Sequence, residues 1–378
     1  MITPYTAVGL IPTVRGIRKR EDISVNLENL RHLVKAAAWL SSLELPVRLI
    51  ALPEGALQGF NDEVLDLDHV QFAREGAIDI PGEETEVLDL DHVQFARECA
   101  IDIPGFETDV LGVIAREYNS YIMAQAKAHH PDWPNRFFNV GFILDPSGEM
   151  ILKHYKVSPL FPVEHSMCPH DVFDWWVEKY GLTLDAFWPV VDTAIGRLGI
   201  MMANEGSYPE NARALALNGA EVVYRGSYPH PATGNGFFEI QSRARALDNN
   251  MYVIAPNLGA YALDADSEPI DTFGGQSFII DYRGQIVGRQ DYGGVATYVG
   301  GVIDIEALRH HRESAQWDNW MKDLRTELYQ LLYRDPIYPK NLYLEREPMK
   351  HREYREKVIE QQIALMHQRG IWKKSSYH

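Results

Sequence analysis

Apolar positions recur along the chain with two periods, one typical of strands and one of helices. Short apolar runs predict buried strands at residues 5–12, 47–52, 121–126, 198–202, 221–224 and 252–255. Apolar side chains at helical spacing predict helices at residues 24–40, 108–119, 208–218 and 237–248. Strands that alternate with helices in this way indicate an α/β fold.

Two pairs of strands are instead joined by short turns. Residues 137–144 and 150–155 flank the turn Asp-Pro-Ser-Gly at 145–148, and residues 277–281 and 285–289 flank a second turn at 282–284. Hairpins mixed with strand–helix units imply a sheet that is partly antiparallel and is covered by helices. The pattern therefore predicts an α/β sandwich.

Composition excludes several classes of function. The 378 residues are 46% apolar, which is enough for a large core, and carry 36 Lys and Arg against 53 Asp and Glu, a net charge of −17. So acidic a chain would be repelled by nucleic acids and by anionic membranes. The sequence has no run near the ~20 apolar residues of a membrane span. Its first residues lack the basic and apolar regions of a signal peptide, so we expect no secretory leader, and its two cysteines favour a reducing cytoplasm.

A tandem repeat interrupts the first half. Residues 63–85 recur as residues 86–108, and the copies differ only at Gly76/Cys99 and Glu83/Phe106. Two copies are too few for a solenoid, which needs about three. The repeat is either a recent duplication or artefact that lengthens a surface segment, or a duplication that builds an interface or a lid. We expect the second copy to be in the native register, because it runs directly into the helical pattern at 108–119.

The pattern changes after about Glu306. Residues 306–378 are rich in Arg, His, Tyr and Trp and contain Pro336 and Pro339. We therefore expect a main domain at residues 1–305 and a C-terminal extension at residues 306–378, which has too little apolar content for a core of its own and would wrap a partner subunit.

Two charged side chains, Glu54 and Lys156, follow predicted strands, where α/β proteins tend to place their chemistry. Glu54 follows the strand at 47–52, and Lys156 follows the strand at 150–155. A partly desolvated carboxylate can act as a general base, and a fixed ammonium can stabilise an oxyanion. Glu164 could neutralise or orient that lysine. Each is also, taken alone, compatible with an ordinary solvated loop residue or cap.

A third strand end has the shape of a nucleophile elbow. An apolar strand leads into Ala203-Asn204-Glu205-Gly206-Ser207 and then into a helix that starts at Pro209. A residue on such a turn lies near exposed N–H groups at a helix amino end, which stabilise anions and activate nucleophiles. The residue at this position is alanine.

Together these segments resemble the carbon–nitrogen hydrolase (nitrilase) superfamily, in its aliphatic amidase and formamidase branch. Pro53-Glu54-Gly55 is similar to the family's Pro-Glu motif, His154-Tyr155-Lys156-Val157-Ser158-Pro159 to its lysine motif, and Pro162-Val163-Glu164 to its second glutamate. The segment 203–210 resembles the amidase motif Cys-Asp-Asp-Gly-Asn-Tyr-Pro-Glu, with four of eight positions identical. The resemblance covers roughly residues 5–305 and implies a nitrilase-like four-layer αββα sandwich with an extended C-terminal tail.

The family's Glu-Lys-Cys mechanism implies a role for each matching residue. A thiolate attacks the amide carbonyl, ammonia leaves, and water hydrolyses the thioester. By resemblance, Glu54 is the general base, Lys156 and the backbone N–H of Asn204 bind the oxyanion, and Glu164 positions substrate or water. The nucleophile position is Ala203, and the protein is expected to be inactive as written because a methyl group can neither ionise nor attack.

Two interpretations of Ala203 are open. The chain is either an amide hydrolase whose cysteine has been replaced by alanine, or a natural relative without thiol chemistry. Such a relative would bind a ligand, regulate a partner, or use Glu54 and Lys156 for acid–base work without a covalent intermediate. A nucleophile relocated to Cys168, four residues beyond Glu164, is a weaker alternative.

The substrate implied by the resemblance is a small neutral amide. The loop at 204–207 lacks the arginine with which relatives that act on N-carbamoyl acids hold a carboxylate. Tyr208, Tyr228, Trp175 and Trp176 could line an aromatic pocket or could pack in the core. The motifs for metals and nucleotides are absent from the sequence, so we expect no metal and no cofactor. The resemblance also implies a dimer-based homo-oligomer.

Overall fold

The computed structural model describes residues 1–60, 92–160, 164–227, 236–262, 267–271, 274–349 and 351–376. Its strands are β1 (Tyr5–Ile11), β2 (Val14–Arg15), β3 (Val47–Ala51), β4 (Tyr121–His130), β5 (Trp133–Leu144), β6 (Met150–Tyr155), β7 (Val190–Thr193), β8 (Gly196–Ile200), β9 (Val222–Tyr224), β10 (Tyr252–Ala255), β11 (Ala260–Ala262), β12 (Ile270–Asp271), β13 (Ser277–Ile280), β14 (Ile286–Gln290) and β15 (Thr297–Ile303). Its α-helices are α1 (Ile23–Ser41), α2 (His92–Glu98), α3 (Phe106–Tyr118), α4 (Phe173–Tyr180), α5 (Leu184–Phe187), α6 (Pro209–Leu217), α7 (Phe237–Asn249), α8 (Ile305–Glu313), α9 (Thr326–Tyr329), α10 (His351–Tyr354) and α11 (Glu360–Gln368).

Two six-stranded sheets form the centre of the molecule. Their strand orders are β15-β1-β3-β4-β5-β6 and β14-β13-β10-β9-β8-β7, and a small third sheet has the order β12-β11-β2. In the first sheet β3 pairs in parallel with β1 and β4, whereas β5 is antiparallel to β4 and to β6. Strands β3, β4 and β6 therefore run in the same direction, and the residues that follow β3 and β6 lie at one edge of the sheet.

Side-chain alternation along the strands creates three apolar layers. In β9, Val222 and Tyr224 face the first sheet, and Val223 faces the helices on the other side. Between the sheets, residues such as Ala7, Leu49, Met123, Leu198, Ile200 and Ile254 form a common core. Helices α1 and α3 cover the first sheet, and α6 and α7 cover the second. The predicted α-β-β-α layering is confirmed.

Most predicted strands and helices lie within a few residues of their observed bounds, but several elements of the core were not predicted, among them strand β15 and helices α2, α4 and α8. Strand β15 was missed because Gly300 and Gly301 weaken its apolar pattern. A Cβ on Gly301 would lie 3.1 Å from the side chain of Ile279, so glycine here allows the two sheets to approach closely. Helix α4 was also missed; it packs Trp176 against Tyr155 and Tyr180.

The described part of the second repeat copy belongs to the core. Phe95, Ala96, Cys99 and Ile101 are buried with the residues beneath α1 and α3, and the native register of this copy stays a prediction. The first copy and residues 86–91 of the second lie outside the described residues.

The C-terminal extension packs partly on its own chain. Arg136 of β5 donates hydrogen bonds to the carbonyls of Tyr343 (2.6 Å) and Arg346 (2.7 Å), and Tyr354 and Val358 are buried in the layer that covers the first sheet. By contrast, Leu328, Leu331 and Leu332 are each more than 60% exposed. Contact of the extension with a partner subunit stays a prediction. In the described residues, no helix has both the length and the apolar character required to cross a membrane.

Candidate active site

Glu54 is a buried carboxylate at the end of a central strand. It follows β3, whose apolar residues lie in the middle of the first sheet, and its chain position is fixed by Gly55, whose N–H donates a 2.9 Å hydrogen bond to Gln125 Oε1. Only 1% of Glu54 is exposed, and burial, assisted by the nearby Glu164 carboxylate and opposed by Lys156, raises its pKa. A raised pKa is what a general base that works near neutrality requires.

Lys156 joins two buried carboxylates. Its Nζ lies 2.8 Å from Glu54 Oε1 and 2.5 Å from Glu164 Oε2. Burial disfavours the ammonium, but Glu164 and Glu54 outweigh burial, so the pKa of Lys156 is raised and the side chain is charged. The structure thus brings together the three charged residues that the sequence analysis had singled out.

Glu164 is held as an anion. Burial would raise its pKa, but Lys156, the Ser166 hydroxyl and Lys127 lower it to about 2. The Ser166 Oγ donates a 2.6 Å hydrogen bond to Glu164 Oε1. The pKa of Glu54 is therefore raised, whereas that of Glu164 is lowered. Pairs of carboxyl groups whose pKa values are shifted apart in this way are common among acid–base pairs in enzymes.

Asn139 links the two glutamates and was not foreseen. Its Nδ2 donates to Glu54 Oε1 at 2.7 Å and to Glu164 Oε1 at 2.8 Å. Gln125 Nε2 donates to Asn139 Oδ1 at 2.5 Å, which fixes the orientation of the Asn139 amide. The sequence did contain a signal for a polar network at this place. Gln125 and Lys127 are polar residues at alternate positions of β4, an otherwise mostly apolar strand.

Ala203 lies at the elbow that the sequence predicted. It opens the short 3₁₀ helix Ala203–Ser207 between β8 and α6, and its φ of 38° is in the left-handed region, where a residue with a Cβ is strained. The Ala203 N–H donates to the Gly226 carbonyl at 2.9 Å, and Arg225 Nε donates to the Ala203 carbonyl at 3.3 Å. Strain of this kind collects at functional sites, where the surrounding structure holds it in place.

Glu205 joins the elbow to the lysine loop. Its Oε1 accepts a 2.7 Å hydrogen bond from the N–H of Val157, and its Oε2 accepts one of 2.7 Å from the N–H of Met202. His154 Nε2 donates to the same carboxylate at 2.9 Å. Asn204 Nδ2 adds a 3.2 Å bond to the Ser158 carbonyl. These contacts bring the segment that carries Ala203 against the segment that carries Lys156.

Of the aromatic residues suggested as pocket walls, Tyr208 lies beside the elbow and the two tryptophans lie in the core. Tyr208 is 49% exposed at the end of the elbow. Trp176 is buried on the helix side of the first sheet, and Trp175 packs beside it, which is core packing rather than a lining of the charged cluster. Tyr228 lies outside the described residues.

The two cysteines are buried thiols with raised pKa values. Burial raises the pKa of Cys99 to about 12. Burial and the carboxylate of Asp171 raise the pKa of Cys168 well above its ordinary value, and the tyrosines of the C-terminal extension, Tyr338 and Tyr354, lie close enough to interact with it electrostatically. Thiols in this condition are poor nucleophiles, so nothing in their surroundings favours Cys168 as a relocated one. Across the described residues, no group of three His, Cys, Asp or Glu side chains is arranged to hold a metal ion.

Comparison with known proteins identifies the family of the chain. Residues 7–299 match the carbon–nitrogen hydrolase family. Formamidases of Bacillus thuringiensis and Bacillus anthracis are each 34% identical to the chain over 125 residues, which is 33% of this chain and 33% of the length of each relative. The chain therefore matches about a third of the length of these curated relatives.

Solved structures share the fold at low sequence identity. A branch 10 member of the nitrilase superfamily from Saccharomyces cerevisiae has a TM-score of 0.59 at 18% identity, over 83% of this chain and 95% of that one. An amidase from Nesterenkonia sp. has a TM-score of 0.56 at 16% identity, over 87% of this chain and 96% of that one. At such identity the likeness establishes the architecture only.

Proposed function

The chain belongs to the carbon–nitrogen hydrolase family, and we propose that its site is that of a small-amide hydrolase in which alanine occupies the place of the nucleophilic cysteine. The observation that carries this proposal is the buried network of Glu54, Lys156, Glu164 and Asn139 at the edge where β3 and β6 end. A cluster of charges is costly to bury, and here each charge is paired.

Each residue has a proposed role. Glu54 is the general base; its Oε1 is occupied by Lys156 and Asn139, whereas its buried Oε2 has no partner in the portion of the chain that the structure describes and is available to a reacting group. Lys156, with the N–H of Asn204, stabilises the oxyanion, and Glu164 orients Lys156 and the substrate. Tyr208, which is half exposed at the end of the elbow, is a proposed substrate contact, and Tyr228 is proposed as a second one from the sequence alone.

The proposed substrate is a small neutral amide. Two carboxylates close to the bound molecule disfavour an anionic substrate, since like charges repel strongly where burial lowers the dielectric. The formamidase similarity supports the same class of compound. With Ala203 in place, the site would bind the amide and leave its C–N bond intact, because no covalent intermediate can form.

A second candidate is a natural protein without thiol chemistry. The intact pairing of the charged cluster beside Ala203 supports it as well, because an amide-binding or regulatory protein, or an acid–base enzyme using Glu54 and Lys156, would need the same network. We also propose that the protein acts in the cytoplasm as a homo-oligomer, and the exposed leucines of the C-terminal extension support contact with a partner subunit.

Ligand-dependent thermal unfolding of the protein as written tests the binding proposal. Formamide, acetamide and propionamide should raise the Tm in a saturable manner, because a ligand that binds only the folded state stabilises it. Formate, acetate and propionate serve as matched anionic controls and should have no such effect. Stabilisation by the acids and not by the amides would overturn the proposed substrate class.

A further inference from the structure

Lys127 is a second buried lysine at the charged cluster, and the amide-hydrolase mechanism gives it no role. It lies near the end of β4, and only 3% of it is exposed. Its main chain is fixed by Gln58, whose Nε2 donates to the Lys127 carbonyl at 3.0 Å and whose Oε1 accepts from the Lys127 N–H at 2.7 Å. Burying a lysine is costly, so a buried lysine beside a charged cluster is a candidate for a functional role.

The register of the first sheet directs Lys127 toward the site. In the antiparallel pair β4 and β5, Lys127 lies directly opposite Asn139, the residue that holds both Glu54 and Glu164. Residues directly opposite one another share a face of the sheet. The amine thus belongs to the same face as the charged cluster, and it interacts electrostatically with Glu164, Glu54 and Lys156.

Two phenyl rings surround the amine. Lys127 Nζ lies 5.9 Å from the ring centre of Phe60 and 5.8 Å from that of Phe95. In the part of the chain that the structure describes, Nζ therefore has two apolar rings near it and lies within electrostatic range of the charged cluster. This combination resembles that of reactive amines in enzymes, which are desolvated by an apolar pocket and placed near another cation.

The protonation state agrees with that arrangement. Burial, together with the neighbouring Lys156 ammonium and against the two glutamates, lowers the pKa of Lys127 to about 7. A larger fraction of the neutral amine is therefore present near pH 7 than in an ordinary lysine. An exposed lysine has a pKa of about 10.4 and is neutral in fewer than one in ~10³ molecules.

We propose that Lys127 is an amine nucleophile that forms an imine with a small, neutral aldehyde or ketone. The Nζ lone pair attacks the carbonyl carbon to form a carbinolamine, and the C–O bond then breaks as the C=N bond forms. Both Nζ hydrogens leave with the oxygen as water, so that no oxidant or further reactant is needed. Glu54, whose second oxygen has no partner among the described residues, is the group in the cluster suited to carry these protons.

This chemistry is independent of the amide-hydrolase proposal. It requires no thiol and therefore takes place in the protein with Ala203. The two carboxylates favour a neutral carbonyl compound over a keto acid.

Reductive trapping with site-resolved mass spectrometry tests the proposal. The full-length protein is incubated at pH 7 with acetone and cyanoborohydride, and the rate of adduct formation at each lysine is measured from its peptides. Lys127 should be labelled at least tenfold faster than the exposed Lys153 and Lys322, and Lys156, which is buried but charged, should be labelled least. Pyruvate, a matched anionic ketone, should label Lys127 more slowly than acetone.

Variants and a denatured control complete the test. Lys127→Arg should remove the fast adduct and leave the slow labelling, whereas Lys153→Arg should leave the fast adduct in place. In concentrated urea the chain unfolds and Lys127 is no longer buried, so the preferential labelling of Lys127 should vanish. Labelling of Lys127 no faster than that of exposed lysines would overturn the proposal, as would a preference for Lys127 that persists in the unfolded chain.

Discussion

The carboxylate of Glu205 accepts a 2.7 Å hydrogen bond from the backbone N–H of Val157. Glu205 stands two residues after Ala203, and Val157 is the residue after Lys156, so this one bond connects the elbow of the second sheet to the lysine loop of the first. The buried carboxylate of Glu205 therefore helps to set the distance between Ala203, at the position of the nucleophile, and the ammonium of Lys156.

Replacement of Glu205 by glutamine should be strongly destabilising. Glutamine offers one acceptor where the carboxylate serves the N–H groups of Val157 and Met202 and the imidazole of His154, so at least one buried donor loses its partner. We expect the free energy of unfolding to fall by about 3 kcal/mol. Urea unfolding measures this change. The matched control is Glu149→Gln, at an exposed turn, and its free energy of unfolding should stay within about 0.5 kcal/mol of that of the parent protein. An equal effect of the two substitutions would contradict the linking role of Glu205.

Glu164 should make stability depend on pH in the acid range. Its pKa in the folded state is about 2, below the value of about 4.3 expected for the unfolded chain. The stability that it contributes is therefore fully present above pH ~4.3 and is lost as the pH falls toward 2. The Glu164→Gln variant lacks this contribution, so we expect it to be less stable at pH 7 and the difference from the parent to shrink below pH ~4.3.

Urea unfolding at several pH values checks this dependence. Over the acid range the slope of unfolding free energy against pH should be smaller in Glu164→Gln by up to about 1.4 kcal/mol per pH unit, the value for one proton. Glu149→Gln again serves as the control, and its curve should run parallel to that of the parent. Parallel curves for the parent and Glu164→Gln would mean that Glu164 is not held as an anion by Lys156.

Much of the site was predictable because its residues directly follow strands. Glu54 follows β3, Lys156 follows β6 and Ala203 follows β8, each within a few residues, so the local pattern marked them as candidates, and the resemblance to a family implied their roles. Glu54 and Lys156 come together because β3 and β6 run in the same direction in one sheet.

Other parts of the site depend on strand register, which the local pattern does not contain. Asn139 and Lys127 come together only because β4 and β5 pair residue for residue, and a shift by one position would turn both side chains to the other face. Glu205 was noticed only as part of a motif, because its partners, Val157 and His154, lie about fifty residues away along the chain. Strand β15 was overlooked because Gly301 serves the packing of the two sheets, which the local pattern does not contain.

The Ala203→Cys variant tests the central claim most directly, by ammonia release from formamide, acetamide and propionamide. We expect turnover in Ala203→Cys, several orders of magnitude above the parent protein, and its loss in the double variant Ala203→Cys/Glu54→Gln, which keeps the thiol and removes the base. Ala203→Ser serves as the control for a change of side-chain size. A folded Ala203→Cys variant that releases no ammonia from these amides, or a parent protein that releases it equally fast, would show that the site is not that of an amide hydrolase disabled at residue 203.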